Sequence, residues 1–366
     1  MAERCAQVAA EGRWRRPRPF DASGPAGVLL DEGRRVVSFA SNDYLGLTSH
    51  PDVAAAAAEA LARWGTGSGA SRLVTGSRPV HHQLEAALAE HAGCERAVVF
   101  PTGFAANLGV LSAFGEQGVH IFSDEYNHAS IVDGARLARA EVTVYPHTDM
   151  DALAKLLADD AAPAIVVTDF VFSMDGDVSP VARLADLCRR HRALLVLDEA
   201  HAVLGPDPAP HLEGVDVLRV GTLSKTLGSL GGYVAGAAPF VELLENRARS
   251  YIFTTAPTPA DTAAALAALG VLHSDAGTAL RARLRALVDR IAPGHPSPII
   301  PIVLGNEERA LEASAALLER GLWVPAIRPP TVPVGTARLR VTLSAAHGDD
   351  DVDRLRQALA ELEVPA

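Results

Sequence analysis

The chain has 366 residues, and its 33 Lys plus Arg against 44 Asp plus Glu give a formal net charge of −11. Apolar residues make up 48% and charged residues 21%, which excludes a disordered chain and leaves room for one large domain plus a smaller one. The acidic balance speaks against a nucleic-acid binder, which would carry a basic stripe.

Cys5, Cys94 and Cys188 are an odd number at unrelated spacings, which suits neither a disulfide framework nor a zinc site. His81-His82 and the scattered histidines lack ligand spacing, so no metal site is expected. The Ala-rich stretch Val53–Ala62 is too short to span a membrane and contains Glu59. Arg13, Arg15, Arg16 and Arg18 are not followed by the apolar run of a secretory signal. A cytoplasmic protein without membrane or nucleic-acid partners is the expectation.

The Pro/Gly-rich start reads as an irregular arm up to about Gly33. After it, strands and helices alternate. Arg96–Phe100, Val119–Ser123 and Glu141–Tyr145 read as strands, with helices near Ala105–Ala113 and over Ala129–Arg139. Asp149 can cap the helix that carries Leu153, Leu156 and Leu157 on one face. Ala164–Asp169, Ala193–Asp198, Val215–Thr222 and Tyr233–Gly236 are apolar runs suited to buried parallel strands, with a helix over Val181–Arg192. This is the pattern of a doubly wound α/β domain. Beyond it come helices Val241–Arg249 and Pro259–Leu272, then a weaker mixture. Strands are expected there at Ile299–Leu304, Leu322–Ala326 and Ala337–Leu343, and helices at Glu307–Arg320 and Asp350–Glu361. The expected division is an arm over 1–36, a large α/β domain over 37–245 and a small α+β domain over 246–366.

Ligands of parallel α/β sheets sit at the carboxyl ends of strands. Asp198 ends one such strand, ahead of Glu199, Ala200 and His201. A buried acid there needs a cationic partner, unless it merely caps the next helix. Lys225 follows another strand in Thr222-Leu223-Ser224-Lys225, and Lys155 is the only other lysine. Partial burial would lower its pKa and make it a better nucleophile toward aldehydes, whereas a plain surface lysine would carry no such role. Thr102, Gly103 and Phe104 open a helix whose free N–H groups favour a phosphate. His128, after a strand end, is a stacking ring, a general acid/base or a satisfied helix-start residue. Gly65-Thr66-Gly67-Ser68-Gly69-Ala70 matches a dinucleotide pattern, but it follows a helix-like stretch rather than a strand. Nicotinamide chemistry rests on that match alone.

The combination of strand-end Asp, nearby His, phosphate-ready helix start and loop Lys suits pyridoxal 5′-phosphate (PLP). The chain resembles the α-oxoamine synthases, PLP enzymes of fold type I (aspartate-aminotransferase-like). The motifs that carry the resemblance are Ser41–Leu47, Gly67–Leu73, Phe172–Asp177, Asp198–His201, Thr222–Lys225 and Ser344–His347. Gly69-Ala70-Ser71-Arg72 and Ala326–Pro333 followed by Gly335–Arg340 resemble the alanine-using branch of biotin biosynthesis. That branch condenses L-alanine with a pimeloyl thioester, carried by CoA or an acyl carrier protein, with loss of CO2. Ala202-Val203 is closer to the glycine-using branches, which make 2-amino-3-ketobutyrate or 5-aminolevulinate.

The resemblance implies these roles. Lys225 links to the cofactor aldehyde and Asp198 faces the pyridine nitrogen. His201 and Ser173 lie near the phenolic oxygen, and His128 stacks on the ring and meets substrate. Gly103, Phe104 and Thr222 contact the cofactor. Arg340 binds the amino-acid carboxylate, which a planar guanidinium suits. Thr331 meets the acyl substrate. Arg16 is the best ungapped match for the arm's acyl-substrate arginine, with Arg15 and Arg18 as alternatives. Thr254 and Thr255 reach the cofactor phosphate of a neighbouring subunit, which implies a homodimer with shared active sites. A non-catalytic partner subunit of this fold would not need Lys225 and Asp198.

Overall fold

The computed structural model describes residues 1–10, 14 and 16–362. After α1 (Ala2–Ala10), strands β1 (Phe20–Ala22), β2 (Ala26–Leu29) and β3 (Arg34–Ser38) form an antiparallel meander. The arm is therefore not irregular up to Gly33. Pro25 and the glycines that suggest a loop lie in and around its tight turn, and its strands are only 3 to 5 residues long. Helices α2 (Pro51–Trp64) and α3 (Pro79–Ala92) follow.

The central region runs β4 (Arg96–Phe100), α4 (Gly103–Phe114), β5 (His120–Asp124), α5 (Ala129–Leu137), β6 (Glu141–Tyr145), α6 (Met150–Ala158), β7 (Ala164–Asp169), α7 (Val181–His191), β8 (Leu194–Asp198), β9 (Val217–Thr222) and β10 (Gly232–Gly236). These strands build a seven-stranded sheet of order β4-β10-β9-β8-β7-β5-β6. The pairings from β9 to β6 are all parallel. The mostly parallel fold-type I domain expected from the sequence is the one observed. One strand departs from it: β10 lies antiparallel to both neighbours. The link from Thr222 to Gly232 holds too few residues for the helical crossover that a parallel pair needs.

Period-2 alternation explains why helices cover both faces. Ile165, Val167 and Val196 pack with α4 and α5, while Val166, Leu195 and Leu197 pack with α6 and α7. Burying each such side chain stabilises the sheet by about 1.5–3 kcal/mol. The parallel strands β5, β7, β8 and β9 end in Asp124, Asp169, Asp198 and Thr222, so four polar residues line one edge of the sheet.

The chain continues through α8 (Ala238–Arg247), α9 (Arg249–Ile252), α10 (Pro259–Leu272) and α11 (Asp275–Ile291). It then forms β11 (Ile299–Gly305), α12 (Glu307–Glu319), β12 (Leu322–Trp323), β13 (Ala326–Ile327), β14 (Ala337–Thr342) and α13 (Asp349–Glu361). The single strand expected over Leu322–Ala326 is two short ones on different sheets. β12 adds in parallel to β3 of the N-terminal meander, and β13 pairs with β14. Pro325 at the junction lacks the N–H that an unbroken ladder would use.

A close approach fixes the start of α4. A Cβ on Gly232 would lie 2.4 Å from the Gly103 nitrogen and 2.6 Å from the Thr102 carbonyl carbon. Gly232→Ala should therefore cost about 1–3 kcal/mol. A thermal melt reads this as a lowered midpoint, and an unchanged midpoint would contradict the packing described.

Candidate active site

A cavity of about 230 Å³ opens at the carboxyl ends of β7, β8 and β9 against the first turn of α4. Thr102 caps that helix, its Oγ1 accepting from the Ala105 N–H at 3.0 Å. The N–H groups of Gly103 and Phe104 have no hydrogen-bond partner among the described residues and face an environment favourable to anions. Thr222 and Ser224 line the same wall, with their hydroxyls 2.7 Å apart.

Asp198 is buried and lines the same cavity. No helix follows it, so it caps none. Its Oδ1 accepts from the Ala200 N–H at 2.9 Å and its Oδ2 from Asn107 Nδ2 at 2.6 Å. Neither donor is a cation. Asn107 Nδ2 also donates to Ser130 Oγ at 2.9 Å, and Ser130 Oγ lies 2.7 Å from His128 Nδ1. His128 Nδ1 also accepts from the Ser130 N–H, so the ring hydrogen resides on Nε2. His128 is thus both a satisfied helix cap and a cavity-lining ring. Burial lowers its pKa and outweighs the Asp198 carboxylate, which raises it; Lys225 lowers it further, so the ring is held toward its neutral form. Asp169, also buried, accepts from the His128 N–H at 2.7 Å. Burial and the neighbouring Asp198 charge push its carboxyl well above the usual range.

Lys225 Nζ lies 2.8 Å from His201 Nε2. Burial lowers the lysine's pKa, opposed by the Asp198 and Asp169 charges. Burial also holds His201 well below its ordinary value, helped by Lys225 and Arg340, so its ring is neutral. With Lys225 donating to Nε2, the hydrogen sits on Nδ1 and points to Tyr44 Oη, 2.5 Å away. Tyr44 Oη donates in turn to Asn42 Oδ1 at 3.2 Å, which also accepts from Arg340 Nη2 at 3.2 Å. A continuous chain of hydrogen bonds therefore joins Lys225 to Arg340.

Arg340 donates otherwise only to neutral groups, the Ser173 carbonyl at 2.6 Å and Thr342 Oγ1 at 2.9 Å. No carboxylate pairs with it among the described residues. Other buried arginines are matched: Arg72 with Glu85, Arg219 with Glu199, and Arg338 with Asp175.

A second cavity, about 670 Å³, is lined by Ser173, Met174 and Thr331, and His128 lines both. Ser173 lines the larger cavity and not the one that holds Lys225. Arg16 is exposed, Thr255 is exposed and Thr254 is half-buried, and none of the three lines either cavity. Arg18 is held by Asp31 at 2.9 Å and Glu32 at 2.5 Å. Arg13 and Arg15 lie outside the described residues. Sequence reasoning missed Asn107, Tyr44, Asp169 and His147. Of these Asp169 carries a local signal as the last residue of a buried strand, and Tyr44 lies within the Ser41–Leu47 motif.

Residues 34–359 match the family model for aminotransferase class I and II. The chain belongs to that family. An 8-amino-7-oxononanoate synthase from Paraburkholderia xenovorans is 45% identical over 388 residues, covering 100% of this chain and 98% of that one. Among solved structures, a serine palmitoyltransferase variant from S. paucimobilis with bound PLP and myriocin is 30% identical with a TM-score of 0.89, covering 99% of this chain and 97% of that one. An 8-amino-7-oxononanoate synthase from Francisella tularensis is 28% identical with a TM-score of 0.74, covering 89% and 97%.

The aminotransferase-family chain is PLP-dependent, and its small cavity fits that group on its own chemistry. Unpartnered N–H donors at α4 suit a phosphate, and Asp198 offers a buried carboxylate with no cation. Lys225 supplies an amine of lowered pKa, and Asn107 Oδ1 is a buried acceptor with no partner among the described residues.

His147 braces the mouth of the site. Its Nδ1 lies 2.9 Å from Asp124 Oδ1 and its Nε2 lies 2.8 Å from Asp177 Oδ2. It ties the segment after β5, which carries His128, to the segment after β7, which carries Ser173. Burial would depress its pKa, but hydrogen bonds to Asp124 and Asp177 outweigh this and raise it to about 10. A raised pKa stabilises the fold fully below the ordinary histidine value, about 6.5, and the gain is lost as pH rises through about 10. The excess thermal stability of the native chain over His147→Gln should shrink steadily between about pH 7 and about pH 10. An excess independent of pH would contradict a charged brace.

Proposed function

We propose that the chain performs the reaction of its 8-amino-7-oxononanoate synthase relatives. L-Alanine and a pimeloyl thioester condense, a carbon–carbon bond forms, and free thiol and CO2 are released. The observation that carries this reading is the buried, acid-free guanidinium of Arg340, joined by hydrogen bonds to Lys225. A desolvated cation without an anion is costly unless a ligand supplies one. An amino-acid carboxylate is such a ligand.

PLP, when bound, supplies an aldehyde for Lys225 and a ring that accepts the electron pair left at the amino-acid Cα. Gly103, Phe104 and Thr222 hold the phosphate, and Asp198 keeps a proton on the ring nitrogen. His201, beside Lys225, and Ser173 would lie near the phenolic oxygen of the ring. Arg340 grips the alanine carboxylate and so orients the Cα–H bond. Lys225 Nζ accepts the Cα proton, its lowered pKa leaving the amine free of a proton of its own. His128 Nε2–H donates to the oxyanion that develops on the thioester carbonyl. Thr331 and Arg16 serve the acyl substrate. Thr254 and Thr255 contribute to the neighbouring subunit's cofactor site, so the working form is a homodimer in the cytoplasm. The thioester carrier is CoA or an acyl carrier protein; both are anionic, so the net charge of −11 favours neither.

A panel of L-alanine, glycine and L-serine against pimeloyl-, acetyl-, succinyl- and palmitoyl-CoA tests this, scored by released thiol. Preference for L-alanine with pimeloyl-CoA is expected. Preference for glycine, or for L-serine with palmitoyl-CoA, would overturn it. Arg340→Ala should raise the alanine KM by roughly 10- to 100-fold, with Arg340→Lys intermediate. An unchanged KM in Arg340→Ala would remove the carboxylate role.

A further inference from the structure

Helix α5 presents one face to the larger cavity, from its cap His128 through Val132 to Arg136. These positions are four residues apart and so stack along the helix. Met174 and Val332 supply apolar wall on the other side. Arg136 is the only arginine or lysine that lines this cavity. Its single ion-pair contact is with Asp133, at 3.5 Å on an exposed surface, a pairing of little energetic weight. The cavity's other acids are Glu125 and Asp175, and Asp175 is already neutralised by Arg338.

The geometry points to Arg136 as the residue that reads the distal carboxylate of the acyl chain. This deepens the proposed reaction and rests on it. Eight helical positions separate His128 from Arg136, about 12 Å at 1.5 Å per residue. An arginine in a helix leans back toward the N-terminus by several ångströms, which leaves roughly 6–8 Å from the His128 ring to the guanidinium. A seven-carbon diacid chain, extended, covers roughly that length. With its thioester carbon at His128, its free carboxylate arrives at Arg136 after crossing apolar wall. A bidentate carboxylate is a better partner for a guanidinium than the long contact to Asp133. A monocarboxylic acyl chain would leave Arg136 unused.

The test compares the PLP-loaded enzyme with Arg136→Ala and Arg136→Gln. Pimeloyl-CoA and heptanoyl-CoA have the same carbon count, but only the first ends in a carboxylate. Each is assayed with L-alanine, and its binding is measured by calorimetry. Loss of roughly 10- to 100-fold in kcat/KM and in affinity is expected for pimeloyl-CoA, mainly through KM, with heptanoyl-CoA changed less than about twofold. Equal losses for both thioesters would place Arg136 on the CoA moiety or in the helix alone and overturn the inference. So would no loss for pimeloyl-CoA. Absent turnover by the unmodified enzyme would strike the proposed reaction. The calorimetric difference between the two thioesters would still decide the Arg136 contact.

Discussion

The structure turns on one buried charge that the protein leaves without a cation. Asp198 closes strand β8 at the carboxyl edge of the sheet and receives only amide hydrogens. A carboxylate so placed is costly unless something positive meets it. The cavity in front of it brings together the features of a PLP site: amide donors at the start of α4, a lysine of lowered proton affinity, and this acid. The parallel strands make that meeting possible, because they align their terminal residues along one edge.

The same logic distinguishes the arginines. Arg72, Arg219 and Arg338 are buried beside carboxylates, as buried cations usually must be. Arg340 is buried beside a carbonyl, a hydroxyl and an amide oxygen. Its missing anion and the missing cation of Asp198 are complementary demands, which the proposed reaction would meet with a substrate carboxylate and a protonated ring. The hydrogen-bonded path through Asn42, Tyr44 and His201 connects the first demand to Lys225. In the proposed reaction, substrate capture and proton transfer would thereby share one hydrogen-bonded network.

Much of this was legible in the sequence, for physical reasons. Buried parallel strands announce themselves as apolar runs, so β7, β8 and β9 and their end residues Asp198 and Thr222 could be placed. What escaped depends on contacts between distant parts of the chain. The N-terminal meander is completed by β12, 284 residues beyond Ser38 counted to Leu322, and its short strands carry no strong alternation. β10 reads like its parallel neighbours because burial on both faces, not direction, sets its composition. Asn107 and His147 sit in unremarkable local sequence, and Tyr44 lies in the Ser41–Leu47 motif without a role that the motif assigns; only the fold brings the three to Asp198, Asp177 and His201. Arg136 likewise reads as an ordinary last-turn cation until the cavity beside α5 is seen.

In the proposed arrangement Lys225 meets the PLP aldehyde in the cavity that Asp198 also lines. The chain's only other lysine, Lys155, lies on α6, away from the cavity. Reconstitution with PLP, borohydride reduction and mass-spectrometric peptide mapping therefore gives a two-way answer. The account predicts stoichiometric modification of Lys225 with Lys155 unmodified. Modification at Lys155, or no retained label, would contradict it.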